Sequence, residues 1–409
     1  MKIIVQKFGG TSVRDEKSRE HAKKHIEHEL AIGYKVVVVV SAMGRNGDPY
    51  ATDTLLSLIG GTRGKISKRE SDSLLACGEI ISSVVFSNML LESGINATSL
   101  TGAQAGFLTN NEHSNAKIVE MKCERLFEEL EDYDVVVVAG FQGAGPNGDT
   151  TTIGRGGSDT SAAALGAALN AERIDIFTDV EGIMTADPRL VDNARPLPQV
   201  TYTEVCNLAY QGAKVIHPRA VEIAMQAKIP LRIRSTYSEG LGTLVADLPD
   251  HNLGSDISER LITGIAHLSP VTQIKVFPKK DQYNLQTEVF QSMANEKISV
   301  DFINISPSAV IYTVTDEMTD KAVEVLRNLG HEPSLERNCA KVSVVGAGMA
   351  GVPGITSKIV SALSESGIRI LQSADSHTTI WVLVKQDDLV QAVNALHAAF
   401  ELESDANSK

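Results

Sequence analysis

Two segments of the chain combine glycine with a positively charged side chain, a combination suited to binding phosphate. Lys7 stands just before the paired glycines Gly9 and Gly10, and Arg155 stands among the glycines of GRGGSD. Paired glycines let backbone N–H groups approach phosphate oxygens closely, and lysine adds a point charge. Arginine forms two parallel hydrogen bonds to a phosphate or carboxylate. A glycine pair that only forms a turn has the same sequence, so neither segment decides the chemistry alone.

The second of these segments leads directly into a helix of small residues, TSAAALGAALNA. We expect Ser158 or Asp159 to cap this helix, which leaves its free N–H groups and its positive dipole end available to an anion. In the alternative interpretation, the glycines only form a turn and Asp159 is only a cap.

Two further segments add polar groups. Residues 177–189, FTDVEGIMTADPR, are a polar stretch without regular periodicity, which is typical of a loop around a ligand. Lys214 precedes a helix that Pro218 starts, although a solvated lysine is the simpler interpretation there. The chain has neither a G-x-x-x-x-G-K-[ST] loop nor the H-R-D and D-F-G motifs of protein kinases. A phosphate-binding enzyme of another class is therefore indicated.

The elements that must position these residues alternate regularly through the first 235 residues. Short β-branched runs followed by longer helical patterns predict a mainly parallel sheet with helices on both faces. Ligands bind at the carboxyl ends of parallel strands, so the glycine-rich segments should meet at one edge. The predicted strands are Ile3–Val5, Val36–Val40, Asn96–Leu100, Val135–Ala139, Ile174–Phe177 and Leu231–Ile233, and the predicted helices are Asp15–Ile32, Leu74–Leu91 and Asp159–Leu169.

The pattern changes after a domain predicted at 1–242. Residues 243–260 are interpreted as a linker, and two similar βαββα units follow at 261–338 and 339–409. This order is typical of ferredoxin-like modules that sense small ligands, so we expect them to regulate the first domain. The predicted strands are 262–266, 272–276, 299–303, 310–314, 341–345, 368–371 and 379–384, and the predicted helices are 285–296, 321–329, 355–365 and 389–400.

The composition limits the partners of the protein. The 409 residues include 38 Lys+Arg against 51 Asp+Glu, a net charge of −13, which disfavours nucleic acid and anionic membranes. Hydrophobic residues at 43% and charged residues at 22% are ordinary for a globular protein of two or three domains. The four cysteines are isolated, and the longest aliphatic run, Val36–Val40, is far too short to span a membrane. We therefore expect a cytoplasmic protein with reduced thiols.

Two patterns have competing interpretations. GAGMAG at 346–351 matches the dinucleotide-binding pattern G-x-G-x-x-G, but too few residues follow to complete such a fold. His21, His25 and His28 share one face of a predicted helix and could bind a metal. Because lysine and glutamate residues surround them, we favour a solvated charged face and predict no metal site.

The order of the motifs resembles that of a known family. KFGGTSV, VSAMG, ACGE, GFQG, GRGGSD, FTDVEGIMTADPR and KVIHPRA follow one another as they do in aspartokinases, which belong to the amino-acid-kinase superfamily. The resemblance covers nearly the whole chain, since the paired C-terminal units are similar to ACT domains. It implies an α/β amino-acid-kinase fold, an open, mainly parallel sheet sandwiched by helices, followed by two ferredoxin-like βαββαβ ACT modules.

The resemblance also implies a reaction and its ligands. Aspartokinases transfer the γ-phosphoryl group of ATP, with Mg²⁺, to the side-chain carboxylate of L-aspartate. This is the first step towards lysine through diaminopimelate, and towards threonine and methionine. An amino-acid effector would bind the ACT modules, which are expected to pair into a homo-oligomer, at least a dimer. The alternatives are another carboxylate kinase of the superfamily and a catalytically inactive amino-acid sensor.

Residues that match the family motifs receive roles from the resemblance. Lys7 and Asp159 would be catalytic, with Asp159 orienting Lys7 or the substrate ammonium. Arg155 would bind a carboxylate of aspartate, and Glu79 its α-ammonium. The implied nucleotide contacts are Lys7, Phe8, Gly9, Gly10, Ser41, Thr178, Asp179, Met184, Thr185, Ala186, Asp187, Pro188, Arg189, Lys214 and Val215, and the implied aspartate contacts are Thr52, Glu79, Gln142, Gly143, Arg155, Gly156, Gly157 and Ser158.

Two segments depart from the family pattern. The loop AMGRNGDPYA between Ser41 and Thr52 is longer than is usual in the family, so the match at Thr52 is weaker than that at Arg155. In the first C-terminal module, KVFPKKDQY replaces a D-x-P-G turn, whereas GAGMAGVPGITSKI in the second module stays closer to the pattern. The first module therefore departs from the usual lysine or threonine site.

Overall fold

The structure is a computed structural model that describes residues 1–61, 64–213, 215–247, 261–279, 282–349 and 351–404. It divides the chain into two compact units. The first unit comprises Met1–Ile183, Pro196–Ala209 and Lys214–Ser255, and the second comprises Met184–Arg195, Tyr210–Ala213 and Asp256–Lys409.

The strands of the first unit form two sheets. They are β1 (Ile3–Phe8), β2 (Lys35–Val40), β3 (Ala97–Leu100), β4 (Phe107–Thr109), β5 (Ile118–Met121), β6 (Val135–Ala139), β7 (Gln142–Ala144), β8 (Thr150–Thr152), β9 (Arg173–Thr178), β10 (Gln199–Val200), β11 (Leu231–Ser235) and β12 (Thr243–Val245). The large sheet has the order β10-β12-β11-β9-β1-β2-β6-β3, and the small one has the order β5-β4-β7-β8.

The large sheet is mainly parallel, which confirms the predicted fold class. β1 pairs parallel with β2 and β9, and β6 pairs parallel with β2 and β3. β11 and β12 pair antiparallel with each other. The valines of β2 and β6 are fully buried, as expected for strands that helices cover on both faces. On one face, the Phe8 ring stacks on Phe177 with centroids 4.6 Å apart.

Helices accompany this sheet as predicted, with one clear difference at a boundary. They are α1 (Gly10–Val13), α2 (Glu16–Ala31), α3 (Thr52–Ser57), α4 (Lys68–Glu92), α5 (Glu124–Asp132), α6 (Gly157–Ala168), α7 (Tyr202–Tyr210) and α8 (Pro218–Ala227). Helix α4 begins at Lys68 rather than Leu74, because Ser67 caps it through the Glu70 N–H. The first turns of α4 are polar, so the helical spacing of apolar residues that predicts this helix begins only at Leu74.

Helix α4 is also long and apolar enough to cross a membrane, by length and composition alone. Half of its most apolar window is buried inside the protein, and its buried face includes two carboxyl groups, Asp72 and Glu79. A helix that packs against its own domain and carries buried acids is a core helix of that domain.

The histidine face of α2 is not fully solvated, so that interpretation is wrong in part. His25 and Glu29 are buried. The His25 Nε2 atom lies 3.1 Å from the Thr236 carbonyl oxygen, and Glu29 pairs with Arg173. Within the described residues, no group of three or more His, Cys, Asp and Glu side chains could hold a metal ion.

The segment interpreted as a linker begins with a strand. β12 pairs with β11, and the Thr243 hydroxyl group accepts from the Ile183 N–H at 2.8 Å and donates to the Leu197 carbonyl at 2.6 Å. These partners lie far away in the sequence. The local sequence TLV at 243–245 therefore predicts a loop and not a strand. Residues 248–260 of that segment lie outside the described residues.

The second unit contains one six-stranded antiparallel sheet with helices in βαββα order. Its elements are β13 (Gly264–Val276), α9 (Leu285–Asn295), β14 (Asp301–Ser306), β15 (Ala309–Thr315), α10 (Thr319–Asn328), β16 (Ser334–Val345), α11 (Ile355–Glu365), β17 (Gln372–Asp375), β18 (Thr379–Lys385) and α12 (Leu389–Ala399). The strand order is β14-β15-β13-β16-β18-β17.

Two long strands serve both modules of this unit. The start of β13, Gly264–Leu268, pairs with the end of β16, while Val271–Val276 pairs with β15 and with the start of β16. The register shifts between Leu268 and Val271, where Pro270 interrupts the pairing. The sequence therefore predicts two strands where the structure has one.

The edge strands β14 and β17 lie later in the chain than predicted. Ile298 and Ile368 donate their backbone N–H groups to the last turns of α9 and α11, at Met293 and Leu363. Both isoleucines are buried as part of the helix ends, so the strands begin a few residues later, at Asp301 and Gln372.

Candidate active site

A cavity of about 360 Å³ opens in the first unit, at the carboxyl ends of β1 and β2 and the start of α6. It brings together predicted residues from both ligand sets. Its lining comprises Lys7, Ser41, Thr52, Leu75, Glu79, Ser114, Phe141, Thr152, Gly154, Arg155, Gly156, Gly157, Ser158 and Asp159.

Lys7 and Asp159 form an ion pair at the base of this cavity. The Lys7 Nζ atom lies 2.6 Å from Asp159 Oδ1, and each side chain is 12% exposed. The other oxygen of Asp159 accepts from the backbone N–H of His217 at 3.3 Å. The pairing holds the lysine ammonium in a fixed direction, as expected for a group that must meet a phosphate.

The predicted capping role of Ser158 and Asp159 is wrong. Gly156 is the N-cap of α6, in a left-handed conformation with φ 66°, and no side chain caps the helix. A Cβ atom at this position would lie 2.3 Å from the His217 ring, so only glycine fits. Asp159 is consequently free to pair with Lys7, and the first turn of α6 keeps unbonded N–H groups at the cavity.

Gly10 is required by the approach of a neighbouring loop. A Cβ atom there would lie 2.5 Å from the Gly44 carbonyl oxygen and 2.7 Å from that of Ala42. The Gly44 N–H also donates to the Gly10 carbonyl at 2.9 Å. The glycine pair thus fixes the loop that follows Ser41, while Gly9 lies nearer to the Lys7 ammonium, with 3.6 Å between its Cβ position and Nζ.

Glu79 is a buried acid with an available oxygen. Its Oε1 accepts from the Ala42 N–H at 3.0 Å, whereas Oε2 has no hydrogen-bond partner among the described residues. Burial raises the pKa of this carboxyl group to about 8, although the Ala42 hydrogen bond opposes the rise. A buried carboxyl group with a free acceptor on a cavity is suited to bind a cation such as an ammonium group.

Arg155 is exposed and lines the same cavity. It follows Gly154, whose φ of 84° turns the chain out of the β7–β8 hairpin. The cavity thus offers two cations, Lys7 and Arg155, and two acids, Glu79 and Asp159, of which Asp159 pairs with Lys7. Its other walls include apolar side chains. This set suits a zwitterion that carries an additional negative charge.

Two predicted substrate contacts lie behind the cavity wall. Gln142 is buried and donates from Nε2 to the Ala76 carbonyl at 3.0 Å. A Cβ atom on Gly143 would lie 2.8 Å from the Thr109 side chain. Neither residue lines the cavity, and their neighbour Phe141 does.

The predicted nucleotide contacts are distributed over several places. The Thr178 hydroxyl donates to Asp179 at the end of β9, and Asp179 also pairs with the exposed Arg45 at 2.7 Å. The Phe8 side chain is completely buried, so only its backbone is available to a ligand. Val215 is partly buried, and Lys214 lies outside the described residues.

The stretch 184–189 belongs to the second unit. Ala186 is part of a hydrophobic core with Val342 and Leu396. Thr185 Oγ1 lies 2.9 Å from His397 Nε2. Asp187 pairs with Arg189, which holds the pKa of the Asp187 carboxyl below its usual range. Thr185 and Ala186 are thus buried in the second unit, whereas Met184 and Asp187 are partly buried and Pro188 and Arg189 are exposed.

Comparison with known proteins places the chain in a family. The sequence profile of the amino acid kinase family matches residues 2–235, and that of an ACT domain matches residues 334–398. Aspartokinase 1 of Bacillus subtilis is 69% identical over 402 residues, which cover 98% of this chain and all of the relative. The chain belongs to the aspartokinase family. The aspartokinase of Geobacillus stearothermophilus is 39% identical, with 99% of each chain covered.

Solved aspartokinase structures have the same fold. The structure of Escherichia coli aspartokinase III in complex with aspartate and ADP has a TM-score of 0.78 and 26% identity, covering 97% of this chain and 99% of that one. The lysine and aspartate complex of the same enzyme has a TM-score of 0.75 and 26% identity, covering 98% of this chain and all of that one.

Asp72 is not among the predicted site residues, although two of its hydrogen-bond partners line the cavity. Its carboxylate is fully buried on α4 and accepts hydrogen bonds from Ser114 and Thr152, both of which line the cavity. The signal available in the sequence was an acid in the same apolar helix as Glu79, seven positions earlier. That spacing places both side chains on one helix face.

Proposed function

We propose that this protein transfers the γ-phosphoryl group of MgATP to the side-chain carboxylate of L-aspartate, giving 4-phospho-L-aspartate. The observation that carries the proposal is the single cavity that joins the Lys7–Asp159 pair to Glu79 and Arg155. Membership of the aspartokinase family supports the same reaction.

The acceptor defines what the protein must do. A carboxylate is already ionised at pH 7, so this reaction needs no general base. Catalysis then consists of bringing two anions into line and neutralising the charge on the transferred group. Lys7, fixed by Asp159, and the free N–H groups at the start of α6 supply that neutralisation.

Mg²⁺ enters the proposal as part of the nucleotide substrate. It commonly keeps several waters and binds through substrate phosphates with one or two carboxylates. The lack of a side-chain metal cluster within the described ranges is compatible with this donor set. When bound, the ion would neutralise phosphate charge, and the Asp159 carboxylate, which lies beside Lys7, would be the protein group that holds it.

The two ends of aspartate have separate partners in this proposal. Glu79 Oε2, buried and without a partner in the described part of the chain, would accept from the α-ammonium group. Arg155 would bind a carboxylate, with Thr52, Ser158 and the glycines around Arg155 completing the wall. Gln142 and Gly143 would act by supporting Phe141.

The nucleotide would extend beyond this cavity. Ser41, Gly9 and the backbone of Phe8 adjoin Lys7, and Thr178 ends the neighbouring strand β9 with Asp179 directly after it. The remaining members of the proposed nucleotide set are Gly10, Met184, Thr185, Ala186, Asp187, Pro188, Arg189, Lys214 and Val215.

The second unit would bind an amino-acid effector that controls this reaction. Its second module has a cavity of about 520 Å³, lined by Met349, Gly351, Val352, Ile355, Thr356, Asp375, Ser376, His377 and Ile380. The Asp375 carboxylate suits the ammonium group of an amino acid. Among the described strands, β14 and β17 form the edges of the sheet, and pairing at such edges between copies would give a homo-oligomer.

The reaction is tested by trapping the acyl phosphate with hydroxylamine in the presence of MgATP. Aspartate should give the hydroxamate, while glutamate, acetylglutamate and carbamate should not. Turnover only with another acid would favour a different carboxylate kinase, and no turnover with any acid would favour an inactive sensor. Lysine, threonine and diaminopimelate are then tested as inhibitors, and a response to none of them would contradict the effector proposal.

A further inference from the structure

The Asp72 carboxylate connects three separate segments of the first unit. Oδ1 accepts from the Thr152 hydroxyl at 2.8 Å, and Oδ2 accepts from the Thr152 N–H at 3.0 Å. The Ser114 N–H lies 3.0 Å from Oδ1 and 2.9 Å from Oδ2, and the Nδ1 atom of His113 lies 3.0 Å from Oδ2. The sequence separations of 41, 42 and 80 residues mean that no local structure imposes these contacts.

Such a group is expensive to bury unless donors surround it. Asp72 has no exposed surface, and its oxygens meet two backbone N–H groups, two hydroxyl groups and an imidazole. Hydrogen bonds of this kind to a carboxylate are stronger than those between neutral groups and hold both partners in place. The carboxylate therefore fixes the positions of Ser114 and Thr152.

Those positions determine one wall of the active-site cavity. Ser114 has a left-handed φ of 70°, which a serine rarely adopts without support. Its carbonyl oxygen would lie 3.3 Å from a Cβ atom on Gly154, so the two segments are closely packed. The Ala116 N–H also donates to the Thr152 carbonyl at 2.9 Å. Arg155 follows this clamped segment directly.

Another part of the cavity lining, Glu79, lies on the same helix as Asp72. Glu79 lies two turns further along α4, on the same face. Helix α4 thus bears the proposed acceptor for the substrate ammonium and also anchors the segment that presents Arg155. The separation between the two groups that bind the ends of the substrate is set through Asp72.

We propose that Asp72 is a positioning residue that sets the spacing between Glu79 and Arg155 and so determines the affinity for aspartate. The inference rests on the proposed function, because aspartate must be the acceptor. Replacement by asparagine leaves one acceptor oxygen and turns an N–H₂ group towards the Ser114 and Thr152 donors. The wall then loosens, and substrate binding must order it again.

The test compares D72N with D149N. Asp149 also joins α4 to the β7–β8 hairpin, through Arg69 at 3.1 Å, but at the surface. For D72N we expect the KM for aspartate to rise about tenfold or more, with the KM for MgATP within about twofold of wild type. For D149N both values should stay within about twofold.

Thr152→Val provides a milder variant in case D72N does not fold. It removes the hydroxyl donor but keeps the backbone one, and should raise the KM for aspartate about threefold. Active wild type with an unchanged KM for aspartate in D72N, or in T152V if D72N is insoluble, overturns the inference. A fall in kcat alone means a purely structural role and also overturns it. Wild type that makes no hydroxamate with aspartate contradicts the proposed function instead.

Discussion

Replacement of Glu79 by glutamine should remove the pH dependence of stability that this carboxyl group causes, and should weaken substrate binding. Burial raises the pKa of this carboxyl group from 4.5 to about 8 in the folded chain. A raised pKa in the folded state means that the wild type loses stability as the pH rises above 4.5, with the loss complete above about pH 8. Glutamine is neutral at every pH and avoids this loss.

The magnitude follows from the two pKa values. Between pH 5 and pH 8, the stability of the wild type should fall relative to that of E79Q by about 3 kcal/mol. The unpaired amide of glutamine lowers the free energy of unfolding of E79Q by about 1–3 kcal/mol at every pH. The measurement is therefore the difference in free energy of unfolding between the two proteins, by denaturant titration at several pH values.

The same carboxyl group should make aspartate binding dependent on pH. Only the ionised form pairs with the substrate ammonium, so the KM for aspartate in the wild type should fall about tenfold between pH 6.5 and pH 8. In E79Q the KM for aspartate should be about 100-fold above that of the wild type at pH 8, and it should be nearly independent of pH between pH 6.5 and pH 8. Parallel stability curves for the two proteins, or an unchanged KM in E79Q, would refute the reasoning about Glu79.

Three other substitutions test neighbouring parts of the structure. Lys7→Ala should lower kcat about 10³-fold in the hydroxamate assay, and normal turnover would rule out the phosphate role of Lys7. Gly10→Ala places a Cβ atom 2.5 Å from the Gly44 carbonyl oxygen, so turnover should fall. Gly240→Ala should be better tolerated, because the nearest atom to its Cβ would lie 3.5 Å away. Leu396→Ala should cost about 2–5 kcal/mol of unfolding free energy, since its fully buried side chain packs in the core that contains Ala186; a melting curve like that of wild type would contradict this packing.

The sequence predicts best those elements whose residues carry their own signal. The unbroken valine runs of β2 and β6 agree with the structure to within a residue, because strands buried on both faces need no alternation. The short strands β4, β5, β7 and β8 were missed, since three or four residues are too few to show a period.

Within the site, the sequence does not predict contacts between residues that are far apart along the chain. The motifs were sufficient to bring Lys7, Glu79, Arg155 and Asp159 to one cavity. They could not distinguish a capping aspartate from one that pairs with a lysine 152 positions away, as Asp159 does. The partners of Asp72 are similarly remote, and an acid inside an apolar helix does not reveal its donors.

The sharing of β13 and β16 between the two C-terminal modules limits how this part of the chain can change in evolution. An insertion of one residue within either strand would preserve the pairing in one module and turn every side chain of the other to the opposite face of the sheet. Insertions and deletions should therefore be confined to the turns, such as residues 307–308 between β14 and β15, and to the shifted register at Pro270. The second module cannot be exchanged for a foreign one as an uninterrupted stretch of sequence, because one of its strands, Gly264–Leu268, precedes the whole of the first module in the chain.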